Sequence, residues 1–226
     1  MAEVSISAYS GVYEHSADNI IAVQKSGADY LHVDIMDGKF VSGTGLPISW
    51  IDDYSEMIDI PVDVHLMCKN NREYIKYLKN SKISKIVFHV EPESTKDTLD
   101  LLSEIHVMGK KSGLAFSPET SLEKMSPFIS YIDEILLLSI QPGTKATCFL
   151  PDTYKRIEKA RAMVESADND IGISVDGFVR LQNIEKCVEC GATKLIIGRD
   201  FFSKKNKEEY VNEVHLMKNS QIVKIR

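Results

Sequence analysis

The sequence predicts a single (β/α)₈ barrel, an α/β TIM barrel, on three observations. Short runs rich in Val and Ile alternate with longer amphipathic stretches from end to end, the pattern of parallel strands joined by helical crossovers. Eight such runs fit into 226 residues, and eight is the number of strands that closes this kind of barrel. Residues able to do chemistry gather at the C-terminal ends of the runs, the face on which such barrels carry their sites. No Gly- or Pro-rich linker divides the chain, so residues 1–226 are read as one domain.

Taken in order, Val4–Ala8 is the first strand, and Ser16–Lys25 the first helix, with Ile20, Ile21 and Val23 as its apolar positions. A helix-ending turn, Ser26-Gly-Ala-Asp, leads into the second strand, Tyr30–Asp34. Pro61–Leu66 is the third strand, followed by a helix over Asn71–Lys79. Lys85–Val90 and the helix Thr95–Val107 form the fourth unit. Lys111–Phe116 is the fifth strand, and a short helix begins at Ser121–Met125. Glu134–Ile140 is the sixth, with a helix over Pro151–Ala167. Ile171–Val175 and Leu181–Glu189 make the seventh unit, and Lys194–Ile197 with the closing helix Lys207–Lys218 the eighth.

Composition narrows the class of function. The chain is 43% hydrophobic and 27% charged, enough apolar residues to bury a sizeable core. Its net charge of −6 argues against nucleic acid or an anionic membrane as the main partner, since both select a dense basic surface. No apolar run approaches the roughly 20 residues a membrane helix needs, and the N-terminus lacks the basic-then-apolar pattern of a secretory signal. A cytoplasmic protein is expected. The four cysteines are too few for a disulfide scaffold of this size. Cys187 and Cys190 form a CxxC on a helix, but without a second CxxC they read as small apolar helix residues.

The strand ends carry a selective set of residues. His32 and Asp34 are two apart on one strand, so both point to the same face. His65 at the end of strand three and Asp176 at the end of strand seven bring a second imidazole and a second carboxylate to the same point. Two nitrogens and two oxygens suit one divalent metal: Zn²⁺, Fe²⁺, Mn²⁺ or Co²⁺.

The stretches Ser26-Gly-Ala-Asp-Tyr-Leu-His-Val-Asp-Ile-Met-Asp-Gly, Val64-His-Leu-Met, Phe88-His-Val-Glu and Val175-Asp-Gly closely resemble the ribulose-phosphate 3-epimerase family, with matching spacing from Ser7 to Phe202. The resemblance implies a ribulose-phosphate-binding type of barrel, an isomerase of carbohydrate metabolism in the pentose phosphate pathway, and a homo-oligomer. It also implies a sugar phosphate substrate, with His32, Asp34, His65 and Asp176 as metal ligands. Asp34 and Asp176 would then be the catalytic acid/base pair, one on each face of the substrate. Ser7 matches a substrate-binding serine, Met36 and Met67 match two methionines that crowd the reacting carbons, and Leu138 falls where a third is usual. The chemistry asks for such a set. Removing the proton next to a ketone leaves negative charge on oxygen, which a cation stabilises. Inversion also requires a donor and an acceptor on opposite faces.

The phosphate end departs from the family pattern. Glycines there let backbone N–H groups close on an anion. After strand six, Gln141-Pro-Gly143-Thr-Lys145-Ala-Thr keeps one glycine of three; after strand seven, Gly177 is followed by Phe178; after strand eight, Gly198 is followed by Arg199 where the family has serine. The loop after strand two also differs, reading Phe40-Val-Ser-Gly-Thr-Gly-Leu-Pro. Two readings remain open. In one, phosphate is still bound, with Gly143, Gly177 and Gly198 lining its site and Arg199 and Lys145 supplying charged donors. In the other, the far end of the substrate is a different ketose, phosphorylated or not. A catalytically silent barrel that serves as a binding protein is a third possibility, disfavoured by the complete ligand set.

Overall fold

A strand in a closed barrel shows one face to the axis and the other to the surrounding helices, so side chains sort by parity. The computed structural model describes residues 2–11, 15–144, 147–165, 167 and 170–224. Eight parallel strands close in sequence order: β1 (Glu3–Ser7), β2 (Tyr30–Met36), β3 (Val62–Met67), β4 (Lys85–His89), β5 (Lys111–Phe116), β6 (Glu134–Leu138), β7 (Gly172–Asp176) and β8 (Lys194–Ile197). Around them lie α1 (Ser16–Lys25), α2 (Ser49–Tyr54), α3 (Asn71–Tyr77), α4 (Thr95–Val107), α5 (Thr153–Val164), α6 (Leu181–Glu189), α7 (Arg199–Ser203) and α8 (Lys207–Lys224). No helix among the described residues is long and apolar enough to cross a membrane.

Outward-facing strand residues such as Val33, Val64, Phe88, Leu137 and Val175 join the helices in one large apolar core. Inside the barrel the apolar cluster is small, only Val87, Ala115, Leu136, Leu138 and Ile196. The rest of the interior is polar and buried. Its lower layer is an ion network in which Lys194 pairs with both Asp63 and Glu134, and Lys85 pairs with Glu134. Two cations and two carboxylates balance, and no charge in this layer lacks a partner, which is the condition for tolerating charge in a core. The Tyr30 ring lies 4.6 Å from the Lys194 ammonium. The upper layer is the one that faces the loops.

Most elements fall where the sequence places them, and the differences have local causes. The helix expected from Ser121 is a 3₁₀ helix over Leu122–Tyr131 with Pro127 inside it, a residue that cannot donate the α-helical bond. Strand β6 stops at Leu138, two residues short of Ile140. The short helices α2 and α7 are additions to the expected pattern. Cys187 and Cys190 are free thiols buried in the apolar core, as small helix residues should be.

Candidate active site

Parity and register bring the predicted ligands together. In the β2–β3 ladder Asp34 lies opposite His65, and in β1–β2 Ser7 lies opposite His32, all on inward positions. Asp176 reaches the same centre from β7, where it pairs with Leu138 of β6. Each of His32, Asp34, His65 and Asp176 offers a ligand atom, and these atoms lie within 4.8 Å of one another. Among the described residues this is the one such group of three or more potential ligands.

The donor set fits a cation. His32 Nε2 is buried without a hydrogen-bond partner. It sits 3.3 Å from Asp34 Oδ1, too poorly aligned for a bond. A buried imidazole nitrogen left in that state is costly unless something else occupies it. Its other nitrogen, Nδ1, is 2.9 Å from Asp63 Oδ1, and the lower ion network fixes Asp63 through Lys194. His65 turns Nδ1 toward Asp34 Oδ1 at 3.2 Å and Nε2 toward His89 Nε2 at 3.1 Å. Ser7 Oγ donates to Asp34 Oδ2 at 2.8 Å.

The two carboxyls are pushed in opposite directions. Burial opposes charge on Asp34, but His32 outweighs it and holds the group well below the usual carboxylate range. For Asp176, burial and the neighbouring Asp34 charge raise the carboxyl to about 7. Burial also disfavours a charged His32, yet Asp34 and Asp63 hold its imidazole well above the ordinary value. Burial lowers His65. One carboxyl therefore stays ionised while the other retains a proton near neutrality, the separation that paired acid and base roles require.

Above this floor opens a cleft of about 700 Å³. Of the residues expected to meet substrate, Ser7, Met36, Met67, Gly143, Gly177, Gly198 and Arg199 line it together with Asp34, Asp176 and Leu138. The apolar Met36, Met67, Leu138 and Ile196 wall the region beside the carboxyls, while His32 and His65 lie beneath, buried. The glycine after β6 has a structural reason. Gly143 has φ +72°, and a Cβ there would come 2.6 Å from Val41 Cβ of the loop after β2. The loops after β2 and β6 therefore approach more closely over the cleft than a side chain at position 143 would allow. Lys145 lies outside the described residues.

The model of the ribulose-phosphate 3-epimerase family matches residues 3–202. The chain belongs to that family. It is 34% identical over 185 residues, 80% of each chain, to the ribulose-phosphate 3-epimerase of Chlamydia muridarum. To that of Synechocystis it is 29% identical over 218 residues, 96% of this chain and 95% of the relative. The chloroplastic ribulose-5-phosphate-3-epimerase of Arabidopsis thaliana is 28% identical over 98% of this chain and 79% of its own length. Among solved structures, KGPDC from Streptococcus mutans superposes with a TM-score of 0.73 at 9% identity, covering 97% of this chain and 98% of that one, a likeness of fold. The protein is thus an isomerase, a carbohydrate epimerase.

Reading the sequence missed three residues in this epimerase. Asp63 and His89 were visible as polar residues on β3 and β4, but spacing shows which face a residue takes and not what it touches across the barrel. Arg180 was hidden because its position depends on Phe178, which has φ +53° and turns the loop after β7. The Arg180 guanidinium then stacks 4.0 Å from the Phe178 ring at the cleft's rim. Neither Arg180 nor Arg199 forms an ion pair among the described residues, whose pairs involve other groups. A non-glycine residue in a loop meant for glycine was the available signal for Arg180.

Proposed function

We propose that this epimerase inverts C3 of ribulose 5-phosphate to give xylulose 5-phosphate, with His32, Asp34, His65 and Asp176 holding one divalent ion. The ion would stabilise negative charge developing on substrate oxygen. Asp34, held ionised beside His32, takes the C3 proton from one face, and Asp176, whose buried carboxyl holds a proton more readily than Asp34, supplies one to the other. Ser7 orients Asp34 through its hydrogen bond. Met36, Met67 and Leu138 keep water from the enediolate, which would otherwise be protonated from either side. The convergence of two carboxyls and two imidazoles on the cleft floor carries this reading.

At the distal end the reading rests on charge. Arg199 and Arg180 both line the cleft where the backbone has lost glycine. A guanidinium binds phosphate through charge-assisted bonds that can replace lost N–H donors. The altered loops also favour a second reading, an epimerase for another ketose. Exchange of the C3 proton into deuterated water, measured with ribulose 5-phosphate and with free ribulose, separates the two. The phosphorylated substrate should be strongly preferred, and Arg199→Ala should erase most of that preference. Equal handling of the two ketoses would sink the phosphate assignment while leaving the epimerase intact.

A further inference from the structure

His65 meets the metal cluster through Nδ1, and its remaining nitrogen has only another imidazole to bond. We infer that Glu91, acting through His89, fixes which nitrogen of His65 carries the proton and so keeps Nδ1 bare as a ligand. The inference rests on the metal reading proposed above for the cluster.

The chain of bonds runs in one direction. Glu91 Oε1 accepts from the Ser117 backbone N–H at 2.8 Å, a donor that cannot be reversed to suit it, and from Thr120 Oγ1 at 2.5 Å. Its other oxygen, Oε2, lies 2.8 Å from His89 Nδ1. An ionised carboxylate only accepts, so His89 carries its hydrogen on Nδ1. Both rings are fully buried, and two Nε2 atoms 3.1 Å apart need one donor and one acceptor, so each neutral imidazole has one proton to place. His89 Nε2 is then a bare acceptor, and His65 Nε2, 3.1 Å away, must be the donor. His65 Nδ1 is left with a lone pair facing Asp34 and the other ligands. The rings cannot turn to escape this order: both are fully buried, with centroids 5.1 Å apart, and Phe40 packs on His89 at 4.8 Å. Carboxylate partners behind metal-bound histidines are a general device for fixing tautomer and orientation. His32 has the direct version in Asp63, whereas His65 has the carboxylate one imidazole further out. Glu91 and His89 are positioning residues, since neither is among the four ligands nor lines the cleft.

Glu91→Gln tests the relay because it keeps volume and reverses polarity. The Ser117 N–H still requires an acceptor, so the amide oxygen stays there and the NH₂ falls on His89. His89 must then accept at Nδ1 and donate from Nε2, His65 must accept at Nε2, and the His65 proton moves to Nδ1, where it blocks the ligand atom. Metal affinity, measured by chelator competition with Zn²⁺, should fall on the order of 100-fold. Glu91→Ala leaves room for a water that can accept from His89, so it should lose only several-fold and bind metal more tightly than Glu91→Gln. Loss of packing alone predicts the opposite order. Long-range ¹H–¹⁵N spectra of the histidine rings in metal-free protein at about pH 8 give the second readout. Wild type should show His89 protonated on Nδ1, and Glu91→Gln should show it protonated on Nε2. His89 protonated on Nε2 in the wild type, or Glu91→Gln binding Zn²⁺ as tightly as Glu91→Ala, overturns the relay. A wild type that binds no metal sinks the metal reading instead, and the two ring spectra then decide the relay alone.

Discussion

The two ends of the cleft are held by opposite means. At the floor, His32 leans on Asp63, Asp63 on Lys194, and Lys194 on Glu134, every member buried. At the rim, Arg180 and Arg199 are exposed side chains, one just before α6 and one opening α7, the first resting on Phe178 and neither ion-paired among the described residues. Reacting groups must be placed to a fraction of an ångström, and only interlocked buried partners achieve that. A phosphate can be caught by flexible cations at modest cost in precision. On the function proposed above, reaction and substrate choice are separable, and each should break without the other.

The largest break is at the floor. Asp176→Asn cannot give or take the proton, and turnover of ribulose 5-phosphate should drop by about 10²- to 10⁴-fold, the usual worth of a positioned acid or base. Exchange of the C3 proton with solvent should fall in parallel, because the step itself is lost. Arg199→Ala should act only on the other end. It should raise KM for ribulose 5-phosphate about ten- to a hundredfold through loss of charged hydrogen bonds, leave kcat nearly unchanged, and leave free ribulose unaffected. A fall in kcat equal to the rise in KM would join the two ends again.

The contrast between the ends also explains what could be read in advance. Strands and long helices were legible because parity and helical period act over many residues: α1, α4, α6, β5 and β8 run where the pattern places them. Helix α2 was not, since six residues offer less than two turns of periodicity although Trp50 and Ile51 are buried. At the floor, residue type and parity were enough to gather His32, Asp34, His65 and Asp176. Their partners were not legible, because His89 and Glu91 gain meaning only from a ring stacked across β3 and β4 and from donors 26 and 29 residues further along the chain. At the rim, the fate of Arg180 depended on one backbone angle at Phe178.

Acidity should affect the floor alone. Asp176, raised to about 7, holds a proton at pH 6 that an incoming cation must displace, and His32, raised well above its ordinary value, holds another. Metal affinity of the metal-free enzyme should therefore rise with pH by about tenfold per pH unit for each proton released, the Asp176 share levelling off above about 7 and the His32 share at higher pH. Asp176→Asn should remove one proton's worth of that slope. Calorimetry in buffers of different ionisation enthalpy counts the protons; an unchanged count in Asp176→Asn would show that this carboxyl is not a ligand.

The smallest effect sharpens the rim. Phe178 occupies the left-handed region at φ +53°, a conformation that costs a non-glycine residue about 1–2 kcal/mol. Its ring contact with Arg180 at 4.0 Å returns about 0.5–1 kcal/mol at an exposed site. Phe178→Gly exchanges these terms, so the thermal midpoint should hold or rise slightly. Arg180, deprived of the ring that aims it, should bind phosphate less well, and KM for ribulose 5-phosphate should rise a few-fold with kcat intact. Strain that is maintained at a net cost to stability has its explanation in what it positions. If Phe178→Gly leaves KM unchanged, Arg180 does not bind phosphate, and Arg199 carries the rim's charge without it.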